Sequence, residues 1–227
     1  MGYPRLIYLL EQIIFEGRDQ IARDFLELGY SQSNKNLPLR FSSKLIEIAS
    51  GKILAKAEKI ATRQGLILNN NIIKESREHD YIVISILPEE QNLLRALPFI
   101  SCSIMSAKLD EDLTPQTISA AAILNPLTNQ FYWTDTDNQA RENFRKISTS
   151  KVVEINQASS LELNSANIEL CWLASGKIDC LEISYNNFLD IAAAELIARK
   201  AGAISLIDKN NKTIKLAANQ ELFSCLK

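Results

Sequence analysis

Leu189-Asp190-Ile191-Ala192-Ala193-Ala194-Glu195-Leu196-Ile197-Ala198-Arg199-Lys200-Ala201-Gly202-Ala203 is the stretch on which the reading of this chain turns. Its alanines and leucine are strong helix formers. Arg199 and Lys200 fall in the last turn, where cations meet the negative end of the helix dipole. Gly202 follows as the left-handed residue that ends the helix. Asp190 stands just ahead of it, where its carboxylate is predicted to cap the first-turn amides. Downstream, 203–207 reads as a strand, 208–212 as a polar turn, 214–217 as a strand and 220–226 as a closing helix.

Upstream, 165–173 reads as a helix stopping at Gly176, and 180–183 as a strand. Tyr81-Ile82-Val83-Ile84-Ser85-Ile86 is short, β-branched and apolar, which suits a buried central strand. The segments 99–107, 119–124 and 130–134 complete an antiparallel meander with Asn125-Pro126 and Thr128-Asn129 at a turn. Residues 135–147 are polar, and 152–155 reads as a further strand. Two amphipathic helices are predicted at 5–28 and 43–63, joined by a polar loop over 30–38. Asn69-Asn70-Asn71 marks another turn. The chain divides into N-terminal helices plus antiparallel sheet over 1–150 and an α/β part over 151–227, packed as one unit.

Composition narrows the class. The 227 residues are 46% apolar and 23% charged, which fits a globular core and excludes disorder and coiled coil. Lys and Arg number 25 against 27 Asp and Glu, so no basic excess points to nucleic acid. Seven glycines are too few for a glycine-rich phosphate cradle. Cys102, Cys171, Cys180 and Cys225 form no CxxC pair, which argues against a zinc or thioredoxin-type site. The apolar run from Leu6 stops at Glu11, too short for a signal-peptide core, and no stretch is long enough to span a membrane. These features lead to the expectation of a cytoplasmic chain with reduced, buried thiols, no membrane partner and a surface His79 in the charged run 74–80.

Several motifs resemble the inositol monophosphatase family. Ser175-Gly176-Lys177-Ile178-Asp179 is similar to its G-R-x-D step. The 189–203 helix is similar to its W-D-x-A-A-G helix, and Ala217-Ala218-Asn219 to its late A-A-N. Leu97-Pro98-Phe99 with Cys102-Ser103-Ile104 resembles its F-P-F-x-x-V-S-I strand. Ala122-Ile123-Leu124-Asn125-Pro126 resembles G-V-V-Y-N-P, and Asn164-Ser165-Ala166 resembles the G-S/T-A-A helix start. The likeness spans roughly 40–225. It implies a layered αβαβα sandwich, an α/β (α+β) fold, a homodimer and a Mg²⁺-dependent phosphomonoesterase whose clustered carboxylates hold the metal.

The departures fall on that chemistry. The family's D-P-I-D-G-T turn aligns with Ser85-Ile86-Leu87-Pro88-Glu89-Glu90, so Ser85 and Pro88 replace both aspartates and Glu90 replaces the threonine that helps activate water. G-E-E-S aligns with Ile73-Lys74-Glu75-Ser76, which puts Lys74 at the ligating glutamate; a one-residue slip restores Glu75. Ile183 and Leu189 replace a substrate-facing glutamate and the helix tryptophan, and Asn164 replaces the helix-start glycine. Asp190 alone is securely kept. Residual metal candidates are Asp190, Glu75 and Glu89; Glu89 and Glu90 also suit a solvated helix start after Pro88.

The favoured expectation is a phosphatase fold without phosphatase chemistry, serving as a scaffold or binding protein, with no catalytic residue, no metal and no cofactor, as a homodimer with a possible protein partner. The alternative is a divergent Mg²⁺-dependent phosphomonoesterase acting on an inositol phosphate, a sugar phosphate or a nucleotide 3′-phosphate. A third reading binds a phosphorylated small molecule at Asn164, Ser165 and Ala166 without hydrolysing it.

Overall fold

The computed structural model describes residues 4–30, 37–87, 89–95, 97–151 and 160–226. The strand expected at 152–155 lies outside them.

The single N-terminal helix expected over 5–28 is two helices, α1 (Arg5–Ile14) and α2 (Arg18–Tyr30), joined by a 3₁₀ turn at Phe15–Gly17. The break sits where the chain passes close to α3 (Leu37–Ile60): a Cβ on Gly17 would lie 2.7 Å from Ile53 Cδ1. Ile7, Leu10, Ile13 and Ile14 of α1 meet Ala49, Ile53 and Ala57 of α3 in one core.

Strands β1 (Gly65–Leu68), β2 (Asn71–Lys74), β3 (Asp80–Leu87), β4 (Ser101–Leu109), β5 (Pro115–Asn125), β6 (Gln130–Asp135), β7 (Arg141–Glu142) and β8 (Arg145–Lys146) form a sheet in the order β2-β1-β3-β4-β5-β6-β7-β8. The expected antiparallel meander is β3 to β6. Two parts were missed: the β1–β2 hairpin, whose strands are only four residues long, and the two-residue strands inside the polar stretch 135–147. β1 runs parallel to β3.

Alternation along β3 assigns the two faces. Ile82, Ile84 and Ile86 pack toward α1 and α3. Tyr81 and Val83 pack toward α5 (Ala166–Ala174) and α6 (Ala192–Ala201), so Ser85 falls on that second face. Beyond α5 and α6 lies the antiparallel sheet β10-β11-β9, made of β9 (Cys180–Ser184), β10 (Ile204–Asp208) and β11 (Thr213–Ala217). Leu181, Ile183, Ile214 and Leu216 join the same core as α6. A last helix, α7 (Gln220–Cys225), packs Leu222 on Ala217 and Ala218. The layers therefore run helix, sheet, helix, sheet, helix, as expected for the sandwich. Among the described residues no helix is long and apolar enough to cross a membrane.

Candidate functional site

Three segments meet at one end of β3. The first is the two-residue turn of the β1–β2 hairpin, Asn69-Asn70, with φ of 46° and 65°. Both are left-handed, a conformation asparagine tolerates better than most side chains, and one that matches the twist of a tight hairpin. Asn69 locks the turn to β3: its N–H donates to the Ile84 carbonyl at 2.9 Å, and its Oδ1 accepts from the Ile86 N–H at 2.8 Å. The second segment is β3 itself, which presents Ser85. The third is a 3₁₀ turn, Phe188–Asp190, capped by the Asn187 side chain, which accepts from the Leu189 N–H at 3.0 Å.

Asp190 is held among them. The Ser85 hydroxyl donates to its Oδ1 at 3.0 Å. The Asn70 Nδ2 reaches its two oxygens at 3.1 and 3.2 Å. Turning the Asn70 amide over would set oxygen against carboxylate, so the nitrogen faces Asp190. The amide oxygen, Asn70 Oδ1, is enclosed without a hydrogen-bond partner among the described residues. The capping role expected of Asp190 is therefore corrected. The residue before α6 is Ile191, with no side-chain cap, and the carboxylate instead ties the 3₁₀ turn to β3 and the hairpin.

The alignment of Lys74 or Glu75 with the ligating glutamate is corrected as well. Lys74 Nζ donates to the carbonyls of Ala61 and Thr62 at 3.2 and 2.8 Å, anchoring β2 to the end of α3. Glu75 accepts from the Tyr81 hydroxyl at 3.1 Å and is otherwise exposed. Asn70 takes the place beside Asp190. The missed signal was positional: a turn that follows a strand parallel to β3 comes out at the same end of the sheet as Ser85.

Glu89 belongs to a second cluster. It has left-handed φ of 41° and precedes the short helix α4 (Glu90–Leu94). Its Oε2 accepts from the Ser101 N–H at 2.8 Å, and its Oε1 from the Ser101 hydroxyl at 3.0 Å and from the Ser165 hydroxyl. Burial pushes its carboxyl up to about 8, against the opposing pull of the serine hydrogen bonds. The expectation of a solvated glutamate here is thus overturned: the side chain turns inward. Glu90 is the first residue of α4, and Pro88 lies outside the described residues.

At the start of α5, Ser165 is 1% exposed, its hydroxyl committed to Glu89. Glu169 Oε1 accepts from the Leu163 N–H at 2.6 Å and the Ser165 N–H at 3.4 Å. Asn92 Nδ2 pins the same loop through the Leu163 and Asn164 carbonyls. Of the proposed phosphate-facing trio, Ser165 is turned into the protein, while Asn164 is exposed with φ of 53° and Ala166 opens the helix. Glu89 and Glu169 thus take up the Ser165 hydroxyl and the Leu163 and Ser165 N–H groups ahead of α5.

Among the cysteines, Cys102 and Cys171 are buried as expected, and burial raises the Cys102 thiol to about 12. Cys225 is exposed, contrary to the expectation of buried thiols, because it ends α7 on the outer layer. His79 is exposed.

Mg²⁺ prefers several hard oxygen ligands in an octahedron. Asp190, Glu75 and Glu89 bind three different sets of partners, and among the described residues no three His, Cys, Asp or Glu side chains gather as a metal group. Around Asp190 stand one hydroxyl and one carboxamide, both neutral, so a single carboxylate supplies all the negative charge where a magnesium centre gathers several. This donor set does not fit a divalent magnesium centre.

No protein-family model and no curated protein sequence matches the chain. Solved structures do. The extragenic suppressor protein suhB of Bartonella henselae superposes with a TM-score of 0.80 at 17% identity, covering 98% of each chain. Inositol monophosphatase-II of Staphylococcus aureus gives 0.76 at 11% identity, covering 97% of this chain and 93% of that one. Inositol monophosphatase from Anabaena (Nostoc) gives 0.68 at 12%, covering 92% of each. At these identities the likeness is one of fold, and it extends over nearly the whole chain.

Proposed function

We propose that this chain, built on the inositol monophosphatase fold, is a divergent member of that family that no longer hydrolyses phosphate esters and acts as a binding or scaffold protein. The observation that carries the proposal is the set of neutral donors, Ser85 Oγ and Asn70 Nδ2, on the one retained carboxylate, Asp190. Metal-assisted phosphate hydrolysis needs a cation to polarise the ester and generate a nucleophilic water. A hydroxyl and an amide that donate into Asp190 satisfy it without any cation. The internal contact of Glu89 with Ser165 supports the same reading, because it fills the start of α5 with a carboxyl group of the chain itself. As a scaffold, the chain keeps the homodimer that its resemblance implies.

The test is phosphate release from a panel of inositol phosphates, sugar phosphates and nucleotide 3′-phosphates with millimolar Mg²⁺ or Mn²⁺. The expected result is no release above a no-protein control. Release that Asp190→Asn abolishes would establish the phosphomonoesterase alternative.

A further inference from the structure

A separate cavity of about 590 Å³ opens between the β4–β5 hairpin, the loop after β9, α6 and β10. Ser85, Asn70, Asp190 and Glu89 are not among its lining residues. Its volume falls in the range of small-metabolite sites. Leu113, Ile118, Tyr185, Phe188, Leu196 and Ile207 give it apolar walls. The Tyr185 and Phe188 rings meet edge-on with centroids 5.7 Å apart.

Set into these walls is a carboxylate with unused capacity. Glu195 is 3% exposed. Its Oε1 accepts from Arg199 Nε at 2.6 Å and from the Ser205 hydroxyl at 2.8 Å. Its Oε2 accepts no hydrogen bond among the described residues, and neither do the terminal nitrogens of Arg199 donate one there. Oε2 is not among the enclosed unpartnered polar atoms of the described residues, so it reaches solvent and is open to a ligand's donor. Glu195 and Arg199 both line the cavity, so they offer an acceptor beside a donor.

That pair complements the edge of a nucleobase, on which an N–H donor sits next to a ring nitrogen or carbonyl acceptor. The aromatic and aliphatic walls suit its flat faces. Among the described residues, five charged side chains line the cavity: Asp112, Glu195, Arg199, Lys209 and Lys212. The balance is cationic, and Glu195 and Arg199 neutralise each other. Lys212 Nζ makes a contact of 3.3 Å to the Asn186 carbonyl, which leaves it further protons to donate. Lys209 and Lys212 thus supply the charge for a phosphate tail.

We propose that this cavity binds a nucleoside monophosphate, its base on Glu195 and Arg199 and its phosphate on Lys209 and Lys212. The test is calorimetric titration of the full chain with AMP, GMP, CMP and UMP, with ribose 5-phosphate and inorganic phosphate as base-free controls. At least one nucleotide is expected to bind in the micromolar range, about tenfold or more tighter than either control. Lys209→Ala with Lys212→Ala, both at exposed positions, weakens that binding, and Glu195→Gln weakens it further while circular dichroism reports an intact fold. Glu89→Gln, in the cluster at Ser101 and Ser165 and away from the cavity lining, leaves it unchanged, which separates this site from the phosphatase-like centre. The proposal is overturned if no nucleotide binds at millimolar concentration, if the controls bind equally well, or if the lysine variants bind as the parent does.

Discussion

The Ser85 hydroxyl donates to Asp190 Oδ1 at 3.0 Å and so joins the end of β3 to the turn that launches α6. In the family pattern that the sequence resembles, an aspartate stands at the Ser85 position. Exchanging it for a hydroxyl removes a negative charge that a cation would otherwise have to balance and substitutes a hydrogen bond.

Asp190 on this account is a structural tie. Asp190→Ala leaves the Asn70 amide and the Ser85 hydroxyl without their acceptor and is expected to destabilise the fold by about 1–3 kcal/mol. Asp190→Asn keeps one acceptor oxygen and is expected to cost less. Urea unfolding of the three proteins measures the difference. Equal stability of Asp190→Ala and the parent would remove the tie from the account.

Restoring carboxylates should restore metal dependence. The double variant Asn70→Glu with Ser85→Asp places like charges against Asp190, so its thermal midpoint is expected below that of the parent without metal. Addition of Mg²⁺ or Mn²⁺ is expected to raise it, because an ion that binds only the native state stabilises that state. A double variant that ignores metal would show that more than these two side chains separates the chain from a working centre.

Glu89 makes a pH prediction. Its carboxyl is raised by burial to about 8 in the folded protein, from an ordinary value of 4.5. Below the ordinary value both states hold the proton and the stability it confers is complete. As pH rises the unfolded state releases the proton first, so stability falls and is lost through the folded value. Between roughly pH 4.5 and 8 this single group contributes a slope of at most about 1.4 kcal/mol per pH unit. Glu89→Gln is expected to flatten that part of the stability profile. Parallel profiles for parent and variant would contradict the assignment.

Much of the fold was legible because its signals were strong and local. The β-branched run at β3 and the Gly202 stop of α6 each needed one segment only. The β1–β2 hairpin was hidden because four-residue strands give no clear period, although its Asn69-Asn70 turn was visible. At the candidate site the sequence located Ser85, Asp190 and Glu89 but not their relations. Asn70 was missed because its pairing with Asp190 spans 120 residues, and the inward turn of Glu89 because Ser101 and Ser165 reach it only in the folded chain. A glutamate ahead of a helix looks solvated until those partners are known.

Gly65 tests the packing of that hairpin. A Cβ there would lie 2.4 Å from Tyr81 Cε1 and 2.9 Å from the Lys74 carbonyl oxygen. A ring and a backbone atom yield little, so Gly65→Ala is expected to destabilise by about 1–3 kcal/mol. Thermal unfolding checks it; an unchanged midpoint would contradict the close approach of β1 to Tyr81.

The central claim is that neutral hydrogen bonds have replaced cation chemistry at Asp190, and thermal unfolding of the parent protein with and without millimolar Mg²⁺ and Mn²⁺ tests it most directly. The account predicts coincident transitions. A metal-dependent rise in midpoint that disappears in Asp190→Asn would contradict it and place a working cation beside Ser85 and Asn70.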